Sequence, residues 1–566
     1  MTTDAVAGGE SAAVVDLRAR AWLDSLLYSA NAWVIVSLAA GAVEAFNGRH
    51  AMTPDGISYL EIAQTALRVG PAGLANGYWS PGYPALIATA LRIARPTIDG
   101  QFPAVHALNF VILAATIWIG RALLRSWADA GGGDPSDRAR SPLIPLGFGV
   151  LLLIIMTAVP PSFVTPDLPV LTTALLVGLT YERLKTSGSW KSAFAVGASC
   201  ALGYWMKAVM FPLGATFLLL LVALPPRIAR ARTKGVAAVA TWALLSIPLI
   251  ALTSNKLGRL SLGETGHLNY AWYVLHSDDV EAPGPYNPAL VHPPRVLLAE
   301  PRIIEFGSPV PGTFPLHYDH SYWSEGTPAR FALRPQLRAL AVAVFEYIRE
   351  LLFDFPIVAA TLLGLALVCA RPQRRPWQLG RVDILMLWSL LWLGLYAAIH
   401  VDSRFVAPAF LLIALSFMRG LVRGAPTRAA TGIAAVLAAV VLLLAASFGW
   451  LTIRRARDHD SPRYLAIAKG LEALRLTPTT RIAIVGTRDG YEAAYAHAAG
   501  LVVAAEIVPD SVPITNVNVA AVKRALADAG IRAIVRTDGP LGFAETEWRR
   551  ISLSDGSAVG VLFTAP

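Results

Sequence analysis

Eleven apolar blocks, each 15 to 22 residues long, run through this chain of 566 residues. A helix needs about 20 apolar residues to cross the hydrocarbon core of a bilayer. Only 15% of the residues are charged, whereas a soluble domain carries about 25%, so a water-soluble globule is excluded. We predict an all-α polytopic membrane protein with about eleven transmembrane helices. The blocks lie at residues 27–46, 104–123, 143–160, 167–183, 192–206, 209–224, 236–253, 355–370, 383–399, 404–418 and 430–451.

The basic residues between the blocks predict the orientation of the chain. With a cytoplasmic N-terminal tail at residues 1–26, every second connection is rich in Lys and Arg, which is the positive-inside pattern. Parity then places the C-terminus outside. Arginines at 454–457 lie on that outer side and conflict with the pattern, but those at 419–428 balance them across the last block. The net charge of +10 therefore indicates topology and not a nucleic-acid partner, and we expect a multi-pass protein of a bacterial inner (plasma) membrane.

Three segments project outward from the multi-span domain of residues 27–452. They are residues 47–103, residues 254–340 and a C-terminal domain at 458–566. In the last, β-rich runs alternate with helical patterns, which predicts a small extracytoplasmic α/β domain. Its Gly486 and Gly490 do not form a GxGxxG motif, and we interpret them as turn glycines. The β-rich runs are Arg481–Thr487, Leu501–Ile507, Ile531–Arg536, Trp548–Leu553 and Val559–Thr564.

The first outer segment begins with Asp55, in a Pro54-Asp55-Gly56 turn signal followed by an amphipathic pattern. The two faces of that pattern suit a helix lying in the membrane interface. Asp55 either caps this helix or acts as a general base, since its place between bilayer and water would raise its pKa. The residues alone give these two roles equal weight.

Aromatic residues are clustered at 76–84 of the same segment. They suit either an interfacial belt or a platform for a sugar ring, and the belt is the more common role for any single ring. In the platform interpretation, the substrate pocket is lined by Tyr59, Tyr78, Trp79, Tyr83 and His400.

Asp167, Lys207 and Arg404 each lie between two nearly continuous apolar blocks. Each pair of blocks is either one long buried segment or two spans, and the alternating basic loops favour two spans with these charges at the outer surface. A charge at mid-membrane costs about 2.5 to 3.5 kcal/mol, so a charge at a helix end either snorkels to water or serves a site. Snorkelling explains one such residue. With Asp55 included, however, two acids and two bases lie on one side of the membrane, which favours a shared site.

Such a set suits transfer of a group from a lipid phosphate. An acid deprotonates the incoming hydroxyl, and cations stabilise the departing phosphate. Lys207 would act as a point charge and Arg404 as a bidentate fork. Because nucleotide sugars are not expected on the outer face, a lipid-linked sugar is the natural donor.

The order of these motifs resembles the GT-C superfamily of membrane glycosyltransferases. Within it the chain is similar to glycosyltransferase family 39, the bacterial branch akin to protein O-mannosyltransferases and lipid A aminoarabinose transferases. The resemblance covers residues 20 to about 450. The matching motifs are Asp55-Gly56-Ile57-Ser58-Tyr59-Leu60, Trp79-Ser80-Pro81-Gly82-Tyr83-Pro84, Asp167, Lys207 and Arg404-Phe405 before a span that contains Pro408.

The resemblance implies a GT-C-like fold and transfer of a sugar from a polyprenyl phosphate with inversion at the anomeric carbon. It implies catalytic roles for Asp55, as general base or acceptor-orienting acid, and for Asp167, as a second polar anchor. Lys207 and Arg404 would bind the donor phosphate. The expected partners are the polyprenyl-phosphate-linked sugar, a lipid, glycan or protein acceptor, and membrane lipids.

The outer segment 254–340 is rich in histidine, including the run His317-Tyr318-Asp319-His320. These residues could bind a divalent metal, but their spacing is not a recognised ligand set. We expect that the segment covers the site and shapes the acceptor pocket, and that the protein uses no cofactor.

Two other function classes stay open. A transporter or flippase should place ionisable residues near mid-membrane, whereas here they gather at one surface. A non-catalytic envelope assembly protein would use its C-terminal domain to bind a partner. Deletion of residues 458–566 discriminates, because an assembly protein would lose all function and a transferase would keep residual activity.

Overall fold

The structure is a computed structural model. The expected cytoplasmic tail up to residue 24, the expected inner basic stretch at 371–381 and the turn glycines Gly486 and Gly490 lie outside the described residues. The described residues are 25–130, 140–275, 290–306, 309–369, 383–422, 431–444, 446, 462–485, 493–508, 518–537, 548–554 and 556–564.

Every apolar block of the sequence contains a helix. The first nine helices are α1 (Ala30–Asn47), α2 (Pro54–Val69), α3 (Gly82–Ala94), α4 (Gln101–Asp129), α5 (Leu143–Ala158), α6 (Asp167–Ser187), α7 (Trp190–Met206), α8 (Met210–Ala223) and α9 (Ala231–Leu257). The next eight are α10 (Thr265–Asn269), α11 (Pro315–Tyr318), α12 (His320–Trp323), α13 (Leu333–Arg349), α14 (Pro356–Cys369), α15 (Ile384–Ala397), α16 (Ser403–Val422) and α17 (Thr431–Leu444). Pairs α5 and α6, α7 and α8, and α15 and α16 are separate helices, so the alternative of single long segments is wrong.

The lengths of the helices leave the number of membrane spans a prediction. Within the described ranges, four helical segments are long and apolar enough to cross a bilayer alone: α1, α9, α16 and the segment Ile98–Asp129. A fifth span results if α13 and α14, which meet at an 89° bend, are counted together. Helices α5, α8, α15 and α17 are apolar but shorter than 18 residues.

Helix α6 lies inside the bundle and positions Asp167. It packs against α4, α7 and α16, and its side chains are buried along most of its length. Close packing on all sides gives such a helix few alternative positions. The carboxylate at its first residue is therefore held at a defined place at the end of the bundle core.

The C-terminal domain forms a sheet, as the sequence predicts, but it shares that sheet with another outer segment. Two strands come from segment 254–340, and they extend the sheet through antiparallel pairing of Ile303–Glu305 with Ala505–Ile507. The elements are β1 (Arg295–Leu298), β2 (Ile303–Glu305), α18 (Arg463–Ala473), β3 (Arg481–Val485), α19 (Ala493–Ala498), β4 (Val502–Ile507), α20 (Val519–Asp528), β5 (Ala533–Arg536), β6 (Arg549–Ser552) and β7 (Ala558–Phe563). The strand order is β1-β2-β4-β3-β5-β7-β6, with β3 parallel to β4 and β5.

Helix α2, which carries Asp55, is enclosed by protein over its first half, whereas its last three residues, at 67–69, are exposed. All residues from Gly56 to Ala63 are buried. The hydroxyl of Ser58 donates to the carbonyl of His317 at 2.9 Å, so segment 254–340 covers the polar face. The amphipathic pattern therefore indicated a helix correctly, but near Ser58 and Glu61 its polar side is covered by protein and not by bulk water.

Candidate active site

Asp167 and Lys207 form an ion pair. Lys207 Nζ lies 2.6 Å from Asp167 Oδ1, and the two side chains are 18% and 3% exposed. Asp167 begins α6, where the partial positive charge of the helix N-terminus favours a carboxylate. Lys207 follows the last residue of α7 and has an extended backbone, so the helix ends there and the side chain turns toward Asp167.

Arg404 lies beside this ion pair, because both Arg404 and Lys207 contact the ring of Phe405. Lys207 Nζ lies 3.9 Å from the centroid of the Phe405 ring, and Arg404 Cζ lies 4.7 Å from it. Asp402 orients the start of α16, because its carboxylate accepts a hydrogen bond from the Arg404 backbone at 3.0 Å and pairs with the guanidinium at 3.5 Å. The two cations from α7 and α16 thus share one aromatic ring.

Asp55 stands within electrostatic reach of all three charges. Burial raises the pKa of its carboxyl above the ordinary value; Arg404 and Lys207 oppose this rise, and Asp167 adds to it. The hydroxyl of Thr53 caps α2 by accepting from the Gly56 backbone at 3.1 Å. Of the two roles left open by the sequence, N-capping is therefore filled by Thr53, and the Asp55 carboxylate is available to the site.

Gly82 of the aromatic motif lies close to the backbone of α7 beside this site. A Cβ at that position would lie 2.5 Å from the carbonyl oxygen of Trp205. Only glycine lets the start of α3 approach the backbone just before Lys207 so closely. The motif thus packs against Trp205 and Met206, the two residues that precede Lys207.

The expected pocket residues of the first outer segment form one packed group. The ring of Tyr59 lies 4.9 Å from Trp79 and 5.3 Å from Tyr83, and Tyr78 lies 4.6 Å from Trp79. Tyr83 donates to Asn109 Oδ1 at 2.8 Å. Because Tyr59 is four residues after Asp55 on α2, this group begins on the same helix face as the carboxylate.

His400 lies apart from that group, on the Arg404 side. Its ring stacks on Tyr273 at 4.1 Å and lies 6.4 Å from Phe405. Trp272 directly precedes Tyr273 in the chain, and its ring lies 5.6 Å from the ring of Tyr78. The turn at 270–274 therefore connects the two halves of the site.

His317 and His320 belong to the aromatic group. The ring of His320 lies 4.8 Å from Tyr78, 5.7 Å from Trp272 and 5.3 Å from His317. Burial lowers the pKa of His317 to about 4 and that of His320 well below its ordinary value, so both imidazoles are neutral near pH 7. They therefore contact the aromatic group as uncharged rings.

Trp272, Tyr273 and Phe405 also lie in this site, although the sequence motifs did not assign them to it. Phe405 carried a signal, since it directly follows Arg404 in a matching motif. Trp272 and Tyr273 carried no such signal, because their position depends on how segment 254–340 folds over α2. Among the described parts of the chain, no group of three or more His, Cys, Asp or Glu is arranged to hold a metal ion.

The chain is similar to solved structures of ArnT from Cupriavidus metallidurans. The structure bound to undecaprenyl phosphate is 13% identical with a TM-score of 0.42, and 94% of this chain and 98% of that chain are covered. The apo structure is 14% identical with a TM-score of 0.39 and the same coverage. No protein-family model and no curated protein matches the chain.

Proposed function

We propose that the protein is a membrane glycosyltransferase that moves a sugar from a polyprenyl-phosphate donor to an acceptor hydroxyl. The observation that carries the proposal is the convergence of Asp55, Asp167, Lys207 and Arg404 from four separate helix ends. Two cations next to a carboxylate of raised pKa match the charge changes in displacement of a sugar from a phosphate.

In the proposed step, Asp55 accepts the proton of the acceptor hydroxyl while the oxygen of that hydroxyl bonds to the anomeric carbon. The bond from that carbon to the phosphate oxygen breaks, and its electron pair leaves with the polyprenyl phosphate. Attack from the face opposite the leaving group inverts the configuration. The raised pKa supports this role, since a general base works best when its pKa approaches the working pH.

Lys207 and Arg404 stabilise the charge on the leaving phosphate. The guanidinium fork can bind two phosphate oxygens and the ammonium a third. Asp167, at 2.6 Å from Lys207 Nζ, anchors the ammonium, and the Phe405 ring holds both cations side by side. Asp167 is thus an anchor of the site that acts through Lys207.

The aromatic group beside Asp55 provides the surface for the sugar. Tyr78, Trp79, Trp272 and His320 present rings in mutual contact, and aromatic faces pack well on the apolar faces of sugar rings. The acceptor is a lipid, glycan or protein. With a cytoplasmic N-terminus, the reaction takes place on the outer face of a bacterial inner membrane.

The test uses purified protein in lipid with a panel of polyprenyl-phosphate sugars. Release of free polyprenyl phosphate should be abolished in Asp55→Asn. The matched control is Asp99→Asn, which changes an exposed aspartate of the same outer segment and should leave release unchanged. No release from folded wild-type protein with any donor would favour transport or assembly instead.

A further inference from the structure

Glu61 is a buried carboxylate on the Asp55 helix that the proposed reaction does not use. It is 6% exposed and lies six residues after Asp55. Six helical positions correspond to about 9 Å along the axis and leave the two side chains about 120° apart around it. Glu61 therefore points away from the site to which Asp55 contributes.

The other two outer segments hold the Glu61 carboxylate. The Thr313 backbone N–H donates to Oε2 at 2.9 Å, and the Thr313 hydroxyl donates to Oε1. His497 of α19 places Nδ1 2.9 Å from Oε1, although it lies 436 residues later in the chain. The other ring nitrogen of His497 lies 3.0 Å from Gln101 Oε1 at the start of α4.

The backbone is shaped for this contact. Gly312 has φ +105°, and a Cβ there would lie 2.6 Å from Glu61 Oε2. The carbonyl of Thr313 accepts from the Val503 backbone of β4 at 2.7 Å. Segment 254–340 is thus bonded to the C-terminal sheet where it contacts Glu61, so one combined unit holds the helix.

We propose that Glu61, Thr313 and His497 form a clamp through which the C-terminal domain sets the position of Asp55. The inference rests on the proposed function, because it concerns the placement of the general base. A side-chain oxygen about 5 Å from a helix axis moves about 1 Å when the helix turns by about 10°. A displacement of about 1 Å at a reacting group can cost about 100-fold in rate.

Glu61 and His497 are positioning residues, so the expected signature is a change in kcat and not in donor binding. His497→Ala should lower kcat by about 10- to 100-fold and change the KM for the donor by less than about threefold. His497→Asn should restore much of kcat, because its amide can donate to Glu61 from the place of Nδ1. Glu61→Gln keeps the contact with Thr313 and should lower kcat. When it is combined with His497→Ala, the double variant should have about the same kcat as His497→Ala alone.

The matched control is Arg481→Ala. It breaks the ion pair of Arg481 with Glu305, which links the same sheet to the same outer segment but does not involve α2. Turnover is measured per folded molecule, together with the melting temperature. The control should lower the melting temperature and leave kcat unchanged.

The outcomes separate the two proposals. If Asp55→Asn abolishes transfer while His497→Ala affects only the melting temperature, or raises only the donor KM, the clamp is overturned and the function stands. If Asp55→Asn has no effect, the function fails, and the clamp fails with it. Should His497→Ala not fold, Glu61→Gln decides, and an unchanged kcat in that variant refutes the clamp.

Discussion

Replacement of Lys207 by methionine tests the structural and the chemical role of the Asp167–Lys207 pair together. Methionine keeps most of the length of the side chain and removes its charge. The Asp167 carboxylate, 3% exposed, then loses the ammonium at 2.6 Å. If Lys207 binds the donor phosphate, the variant loses that contact as well.

The two effects have different sizes. Removal of one partner of a buried ion pair costs about 3 to 5 kcal/mol, and the partial exposure of Lys207 and the helix N-terminus at Asp167 bring this to about 2 to 4 kcal/mol. A charge-assisted hydrogen bond to the phosphate contributes about 1.5 to 3 kcal/mol, which corresponds to about 10- to 100-fold in kcat/KM.

A second substitution isolates the chemical role. Lys207→Met with Asp167→Leu replaces the ion pair by two apolar side chains, so no unpaired charge stays buried and most of the lost stability should return. Transfer should not return, because the cation is still missing. Asp167→Asn alone keeps the ammonium and should bind polyprenyl phosphate within a few-fold of wild type.

The assays are thermal unfolding in detergent, release of polyprenyl phosphate, and inhibition by added polyprenyl phosphate. Recovery of transfer in the double variant would refute the assignment of Lys207 to the phosphate. Equal loss of phosphate affinity in Asp167→Asn and Lys207→Met would show that the pair acts only as a structural element.

Three further predictions concern other residues of the site. Since the pKa of Asp55 is raised and a base works only when deprotonated, kcat/KM should fall as pH drops through that raised pKa, and a profile flat down to 3.8 would contradict this. Arg404→Lys keeps the charge but loses the fork, so the donor KM should rise about tenfold in steady-state kinetics; an unchanged KM would exclude bidentate binding. Gly82→Ala should lower stability by about 1 to 3 kcal/mol, because its Cβ would meet the Trp205 backbone, whereas Gly394→Ala, with no atom within 4 Å, should not; thermal unfolding of both variants measures this.

Most secondary structure could be predicted because it depends on local pattern. Each apolar block contains a helix, and all five β-rich runs of the C-terminal domain contain strands. Strands β1 and β2 were not predicted, because they are only four and three residues long and β2 pairs with β4, about 200 residues away in the chain. Deletion of residues 458–566 would remove β4, one of the two partners of β2, so this deletion also disturbs segment 254–340.

The composition of the site could be predicted in part. A charged side chain at the end of an apolar helix either reaches water or serves a site, and this argument indicated Asp167, Lys207 and Arg404 as site residues. The sequence did not reveal that Thr53 relieves Asp55 of capping, or that Phe405 contacts both cations. Each depends on the direction of a side chain, which hydropathy and spacing do not encode.

The apolar helices, and the helix ends at which the charges lie, can be located from the order of residues alone, because both depend on only a few turns of chain. The contacts of Lys207 with Asp167 and Phe405, and of His497 with Glu61 on the Asp55 helix, arise only when distant elements pack together. Those contacts join residues 40 to 436 positions apart. They exist because close packing of the bundle and of the shared sheet leaves each element few positions, and no local pattern records which elements will be neighbours.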